Sequence, residues 1–82
     1  VPIAVLTEDD PLDAIPTAIA LQAVAINPNH RTLNKTNVKK IKSAGFQIYP
    51  WTVNTPEDIQ KMYALGVDAI ITDYPERVKD IP

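Results

Sequence analysis

With 82 residues, 45% of them apolar and a formal net charge of −2, the chain has the composition of an ordinary globular protein. It shows neither the basic excess of a nucleic-acid binder nor an apolar run long enough to span a membrane. A domain of this size buries only roughly 60 to 65% of the surface that its unfolded chain exposes, and the usual supports of small folds are missing. There are no cysteines for a disulfide or a thiolate metal site, and a single histidine cannot build a zinc centre alone. The opening residues lack the basic flank of a secretion signal. A first residue other than Met, set directly in a strand-like run, predicts that the sequence begins inside a domain.

In chain order, the apolar run over residues 2–6 predicts a first strand, which ends in the acidic turn at Glu8, Asp9 and Asp10. Asp10-Pro11 then starts a weak helix to about Gln22, with Pro16 breaking or kinking it. A second strand follows over residues 23–26, and the turn chemistry of Asn27-Pro28-Asn29-His30-Arg31-Thr32 comes after it. Asn34 caps the next helix, Leu33 and Val38 form a hydrophobic staple across its start, and Gly45 ends it. The basic group Arg31, Lys35, Lys39, Lys40 and Lys42 includes lysines repeating at helical spacing opposite Val38 and Ile41, the pattern of a solvated face above a sheet. A third strand is predicted over residues 46–53. Pro50 removes a ladder donor there, so an irregularity or bulge is expected just before Trp51. Thr55 caps a further helix with Pro56 at its first position and Ile59, Met62 and Tyr63 facing inward. Gly66 closes that helix, residues 67–72 form a fourth strand, and Asp73-Tyr74-Pro75 turns the chain away.

A faint repeat supports this parse. Ala44-Gly45-Phe46-Gln47-Ile48 and Leu65-Gly66-Val67-Asp68-Ala69 each read as a helix end feeding a strand. Strands joined by helices run parallel, because the crossover returns the chain to the same end of the sheet. Such a strip is part of a (β/α)₈ barrel if it closes on itself, or of a doubly wound sheet if it stays open. The second architecture lacks its usual sign, since no glycine-rich turn follows a strand. In a barrel, chemistry sits at the C-terminal strand ends, here residues 27–31, 51–54 and 73–76. The loops after the last two strands carry Glu57, Asp58, Asp73 and Glu76. These acids repel a phosphate, so a phosphate substrate has to be held by a metal ion or by basic groups from elsewhere.

The stretch WTVNTPEDIQKMYALGVDAIITDYP, residues 51–75, with the helix before it, resembles the C-terminal end of the glycerophosphodiester phosphodiesterases. The likeness covers nearly the whole chain and is strongest over residues 49–75. It implies an α/β fold, the C-terminal half of a TIM (β/α)₈ barrel in which four parallel strands alternate with helices, within a single domain over residues 1–82. It also implies a metal-dependent enzyme that hydrolyses glycerophosphodiesters to glycerol 3-phosphate and an alcohol, with calcium or magnesium as cofactor. The family's catalytic histidines and acidic metal ligands belong to the N-terminal half of the barrel, so no catalytic or metal-binding residue is assigned to this chain and the chain alone is expected to be inactive.

Trp51 corresponds to a tryptophan that lines the family's pocket near the glycerol side of the substrate. Its other reading is core packing, and an indole at a strand end can serve both, with its N–H available for one hydrogen bond. Asn27 also sits at a strand end and is a second candidate for substrate binding. Asn54 and Asp73 read as turn-holding residues, and His30 as a solvated turn residue. Expected partners are the substrate and the N-terminal half of the barrel, with no nucleic acid and no membrane span. The rival reading is a non-catalytic half-barrel module that self-associates through its unpaired edges and bare inner face.

Overall fold

The computed structural model describes residues 3–80. Three parallel strands, β1 (Ala4–Thr7), β2 (Ala25–Pro28) and β3 (Gln47–Ile48), lie side by side in chain order. Helix α1 (Ile15–Ala20) joins β1 to β2, α2 (Lys35–Ser43) joins β2 to β3, and α3 (Pro56–Leu65) follows β3. Short 3₁₀ segments precede α1 and α2, and another spans Pro75–Asp80. The alternation and the parallel sense are those expected from the sequence; the boundaries and the fourth strand differ.

Strand β1 starts at Ala4, and the Pro2 end of its expected range lies outside the described residues. Strand β2 lies two residues later than expected and takes in Asn27 and Pro28, which pair with Leu6 and Thr7 of β1. The turn begins only at Asn29, whose side chain accepts a hydrogen bond from the Arg31 amide at 3.1 Å. Pro16 does not kink α1. The chain runs as a 3₁₀ turn through Pro11–Ala14 and restarts as an α-helix at Ile15, which places Pro16 in the first turn where its missing N–H is not needed. The helix stops at Ala20, and Gln22 takes a left-handed conformation with φ 55°.

The two longer helices carry their signals as read. Asn34 and Asn37 form a reciprocal capping box at the start of α2, and Leu33 and Val38 are both buried there. Asn37 also donates to the Thr32 carbonyl at 2.7 Å, which satisfies a polar side chain that is only 6% exposed. Thr55 caps α3 through the Asp58 amide, with Pro56 at its start. Gly45 and Gly66 follow α2 and α3 with φ of +95° each, a conformation that side chains other than glycine seldom adopt.

Prolines interrupt the sheet at matching positions. The β2–β3 register places Ile26 beside Ile48 and, past a gap, Asn29 beside Trp51 as an isolated parallel bridge. A regular ladder would fill the gap with a bond from residue 28 to the Tyr49 carbonyl, but Pro28 has no hydrogen to give. The same happens one strand further on. The Asp68 amide donates to the Ile48 carbonyl at 3.1 Å, and the next bond would run from residue 50 to the Asp68 carbonyl. Pro50 cannot make it. Contact resumes where the Ile71 amide meets the Pro50 carbonyl at 2.8 Å and the Val53 amide meets the Ile71 carbonyl at 2.8 Å. Regular spacing would use Thr52 instead of Val53, so Trp51 and Thr52 together oppose one residue as a bulge. The stretch 67–72, expected as the fourth strand, therefore runs alongside β3 in the parallel sense on three backbone hydrogen bonds without forming a regular strand.

The Asp68 carboxylate holds that join. It accepts from the Ile48 amide at 2.8 Å, so Asp68 meets Ile48 through both its amide and its side chain, and it pairs with Lys42 Nζ of α2 at 2.7 Å. Burial pushes the acid upward, yet the Lys42 hydrogen bond, the Ile48 amide and the Lys42 charge outweigh it and leave the carboxyl below its ordinary range.

One face of the sheet packs against the helices. Ile26, Ile48 and Val53 meet Val38, Ile41, Ile59 and Met62 in a single buried cluster. Each fully buried isoleucine there contributes about 1.5–3 kcal/mol by leaving water. Alternation sends Ala4, Leu6, Asn27, Gln47 and Tyr49 to the opposite face, where no helix lies among the described residues and Leu6 is 67% exposed.

Asp68→Asn is expected to lower stability by about 1–2 kcal/mol at neutral pH. Because folding depresses this acid, its contribution is full above the unfolded carboxylate value and is lost as pH falls through the folded one. Urea midpoints of the native chain and the variant should therefore differ at pH 7 and converge in strong acid.

Candidate functional site

The parallel strands place residues 27–31, 51–54 and 72–74 at one end of the sheet, the end opposite both glycines. Trp51 sits at its centre and is anchored entirely to the neighbouring segment 27–30. Its amide donates to the Pro28 carbonyl at 3.0 Å, its carbonyl accepts from the His30 amide at 3.0 Å, and its indole Nε1–H donates to the Asn27 carbonyl at 2.8 Å. The indole N–H expected to be available is thus occupied within the protein. What Trp51 offers a ligand is its half-buried ring surface.

Asn27 lies directly beside it. Its main chain belongs to β2 and is fixed by pairing with Leu6, while its side chain falls on the face away from Ile26 and Pro28, both of which pack into the helical layer. The Asn27 Oδ1 atom is buried and has no hydrogen-bond partner among the described residues. A buried acceptor left in this state costs about 1–3 kcal/mol and marks a place where a donor belongs. The two residues singled out from the sequence are therefore neighbours at this end of the sheet, joined by the bond from the indole N–H to the Asn27 carbonyl.

Asn54 organises the third strand end. Its Oδ1 accepts from the Asp73 amide at 3.0 Å and from Thr72 Oγ1 at 3.1 Å, its Nδ2 donates to Asp73 Oδ2 at 3.2 Å, and its carbonyl accepts from Arg77 at 2.6 Å. Arg77 in turn lies over the Tyr74 ring at 4.0 Å. Asn54 thus ties the strand end to residues 72–77 instead of holding the strand-to-helix turn expected of it, and the Tyr74 amide is held by Thr72 Oγ1 at 3.0 Å, not by Asp73.

His30 departs from expectation. It is not a solvated turn residue: its side chain is 15% exposed, its Nδ1 lies 3.1 Å from the Trp51 carbonyl, and its Nε2 lies 3.7 Å from Asp58 of α3. No local sequence signal marks this contact: it follows from the β2–β3 register, in which Asn29 pairs with Trp51 and the amide of the next residue reaches the Trp51 carbonyl. Among the described residues no group of three or more histidines, cysteines or acids is placed to hold a metal ion. The donor set here does not fit a resident divalent cation.

These strands and helices define a parallel α/β arc of the kind found in barrels. The chain belongs to the glycerophosphoryl diester phosphodiesterase family, whose model matches residues 1–77. A glycerophosphodiester phosphodiesterase of Bacillus subtilis is 36% identical over 64 residues, covering 78% of this chain and 22% of that protein. A Silicibacter pomeroyi structure assigned to the same family superposes with a TM-score of 0.83 at 28% identity, covering 95% of this chain and 29% of that one. The fold is also that of an Oleispira antarctica phosphodiesterase solved with its product sn-glycerol-3-phosphate, with a TM-score of 0.87 at 22% identity over 95% of this chain and 32% of that one. The chain thus spans between a fifth and a third of the length of these proteins.

Replacing Asn54 with Ala removes the side-chain bonds that hold residues 72–73. Hydrogen exchange at the Asp73 amide should accelerate by about tenfold or more, while amides in α2 remain unchanged.

Proposed function

We propose that this chain is the C-terminal half of a glycerophosphodiester phosphodiesterase barrel, with residues 67–72 as its fourth strand, in an enzyme that hydrolyses glycerophosphodiesters to glycerol 3-phosphate and an alcohol. The observation that carries this reading is the buried Asn27 Oδ1, without a partner among the described residues, on the residue whose carbonyl holds the Trp51 indole at the C-terminal strand ends, in a chain that the family matches over residues 1–77. Support comes also from the bare face of the sheet, where Leu6 and its neighbours stand where a closed barrel has its interior.

Within that enzyme the Trp51 ring forms an apolar wall against the carbon skeleton of the glycerol moiety, and Asn27 Oδ1 accepts a hydrogen bond from one of its hydroxyls. That bond replaces a missing one, so a substrate lacking the hydroxyl is penalised twice. The loops at this end of the sheet carry Asp58, Asp73 and Glu76, which disfavour a phosphate, and the Arg77 guanidinium there is engaged with the Asn54 carbonyl and the Tyr74 ring. A divalent cation, calcium or magnesium, supplies charge neutralisation in the complete enzyme, and its ligands, like the acid–base residues, come from the other part of the barrel. This chain positions and shapes; it does not transfer the proton.

Two measurements check the reading. The isolated polypeptide, with calcium or magnesium present, should release no glycerol 3-phosphate, and turnover by rigorously purified material would place catalysis on this chain. In the complete enzyme, Trp51→Ala and Asn27→Leu should each lower kcat/KM by about 10-fold or more, with the Asn27 effect vanishing for a substrate that lacks the recognised hydroxyl.

A second reading rests on the same bare face, where Leu6 is 67% exposed and a second copy could cover it. Native mass measurement separates the two, because a stable homodimer of short chains supports a self-associating module and a longer parent polypeptide supports the enzyme.

A further inference from the structure

We propose that His30 is a positioning residue for the Trp51 wall, gripping the Trp51 carbonyl from both its backbone amide and its ring in the Nδ1–H tautomer. The inference rests on the pocket role given above to Trp51, but its geometry is independent of any substrate. Two donors of one residue converge on one oxygen, the amide at 3.0 Å and Nδ1 at 3.1 Å. An oxygen accepts, so the nitrogen facing it at that distance carries the hydrogen. The opposite assignment would set the Nδ1 lone pair against the carbonyl while spending Nε2–H on an Asp58 carboxylate 3.7 Å away, beyond hydrogen-bond length. The contacts therefore select the Nδ1–H form, and in it Nε2 faces Asp58 with a lone pair when the ring is neutral and with a hydrogen when it is charged. The grip on Trp51 is the same in both states.

The consequence lies in how the indole is held. The Trp51 amide and carbonyl both face β2 in the isolated bridge with Asn29, and the next residue, beside 67–72, is where regular pairing lapses into the bulge. The His30 ring adds a second donor to the single ladder bond that this carbonyl receives. Together with the bonds from Asn27 and Pro28, it ties the plane of the Trp51 backbone, and hence the direction of its side chain, to the turn after β2.

His30 is the sole histidine of the chain and Trp51 the sole tryptophan, so both can be read without ambiguity. Nitrogen NMR of the chain at a pH where the ring is neutral should show a protonated Nδ1 and a bare Nε2. His30→Asn places an amide N–H where Nδ1–H lies, and should keep the Trp51 indole N–H resonance and its protection. His30→Gln and His30→Leu lose that donor, should shift the resonance, and should speed its exchange by about fivefold. A protonated Nε2 with a bare Nδ1 overturns the proposal. So does an indole signal that responds alike to the Asn and Gln replacements, a comparison between two polar variants that does not depend on the Leu variant folding. None of these readouts involves substrate, so they stand or fall apart from the pocket role, which Trp51→Ala in the complete enzyme tests on its own.

Discussion

The structure depends on how a parallel sheet is continued past a proline. Pro50 removes the hydrogen that would bind the third strand to the Asp68 carbonyl, and without a replacement the stretch 67–72 would have little to hold it beside β3. Asp68 supplies the replacement with its side chain: the carboxylate takes the Ile48 amide, and Lys42 neutralises it from α2. A half-exposed ion pair is worth little in general. Here the acid is also bonded to a backbone amide in a partly buried join, so its loss would strand that amide and leave the lysine alone. A helix, a strand and the segment after α3 are thereby joined through one carboxylate.

That arrangement accounts for the shape of the site. Because regular pairing lapses around Pro50, the chain at Trp51 and Thr52 is free to bulge, and the bulge places the indole over the second strand's end. The ring is then fixed by the turn at residues 27–30, while Asn54 independently fixes the turn at residues 72–77. The indole and the residues 72–77 are held by separate hydrogen-bond sets, one made by Trp51 and the other by Asn54. Under the proposed reading this end of the sheet meets the substrate and the apolar face below it is barrel interior.

The sequence was legible wherever a local rule decides the outcome. Asn34, Thr55, Pro56, Gly45 and Gly66 set helix ends by chemistry within a few residues, and the structure places each where its type predicts. The alternation of strand and helix, and with it the parallel sheet, followed from periodicity and chain connectivity. What was not legible depends on partners distant in sequence. Asn27 and Pro28 read as turn residues until pairing with Leu6 and Thr7 extends β2 over them. Residues 67–72 read as a strand, but whether they pair regularly depends on the hydrogens that Pro50 lacks. His30 looked like a loop histidine because its partner, the carbonyl of Trp51, is 21 positions away and carries no side-chain signature. Trp51 was singled out by family resemblance and Asn27 by its place at a strand end, and the spent indole N–H could be seen only in the fold.

At the other end of the sheet the two glycines show a different kind of selection. Each adopts φ +95°, and a methyl group built at either would meet no atom within 4 Å. The space is open, so it is handedness, not size, that excludes an ordinary side chain there. A mirror-image alanine has the handedness that φ +95° favours and would narrow the unfolded ensemble relative to glycine. The far rim of the arc is thus a place where chemical synthesis could stiffen the scaffold, well away from the end that carries the indole.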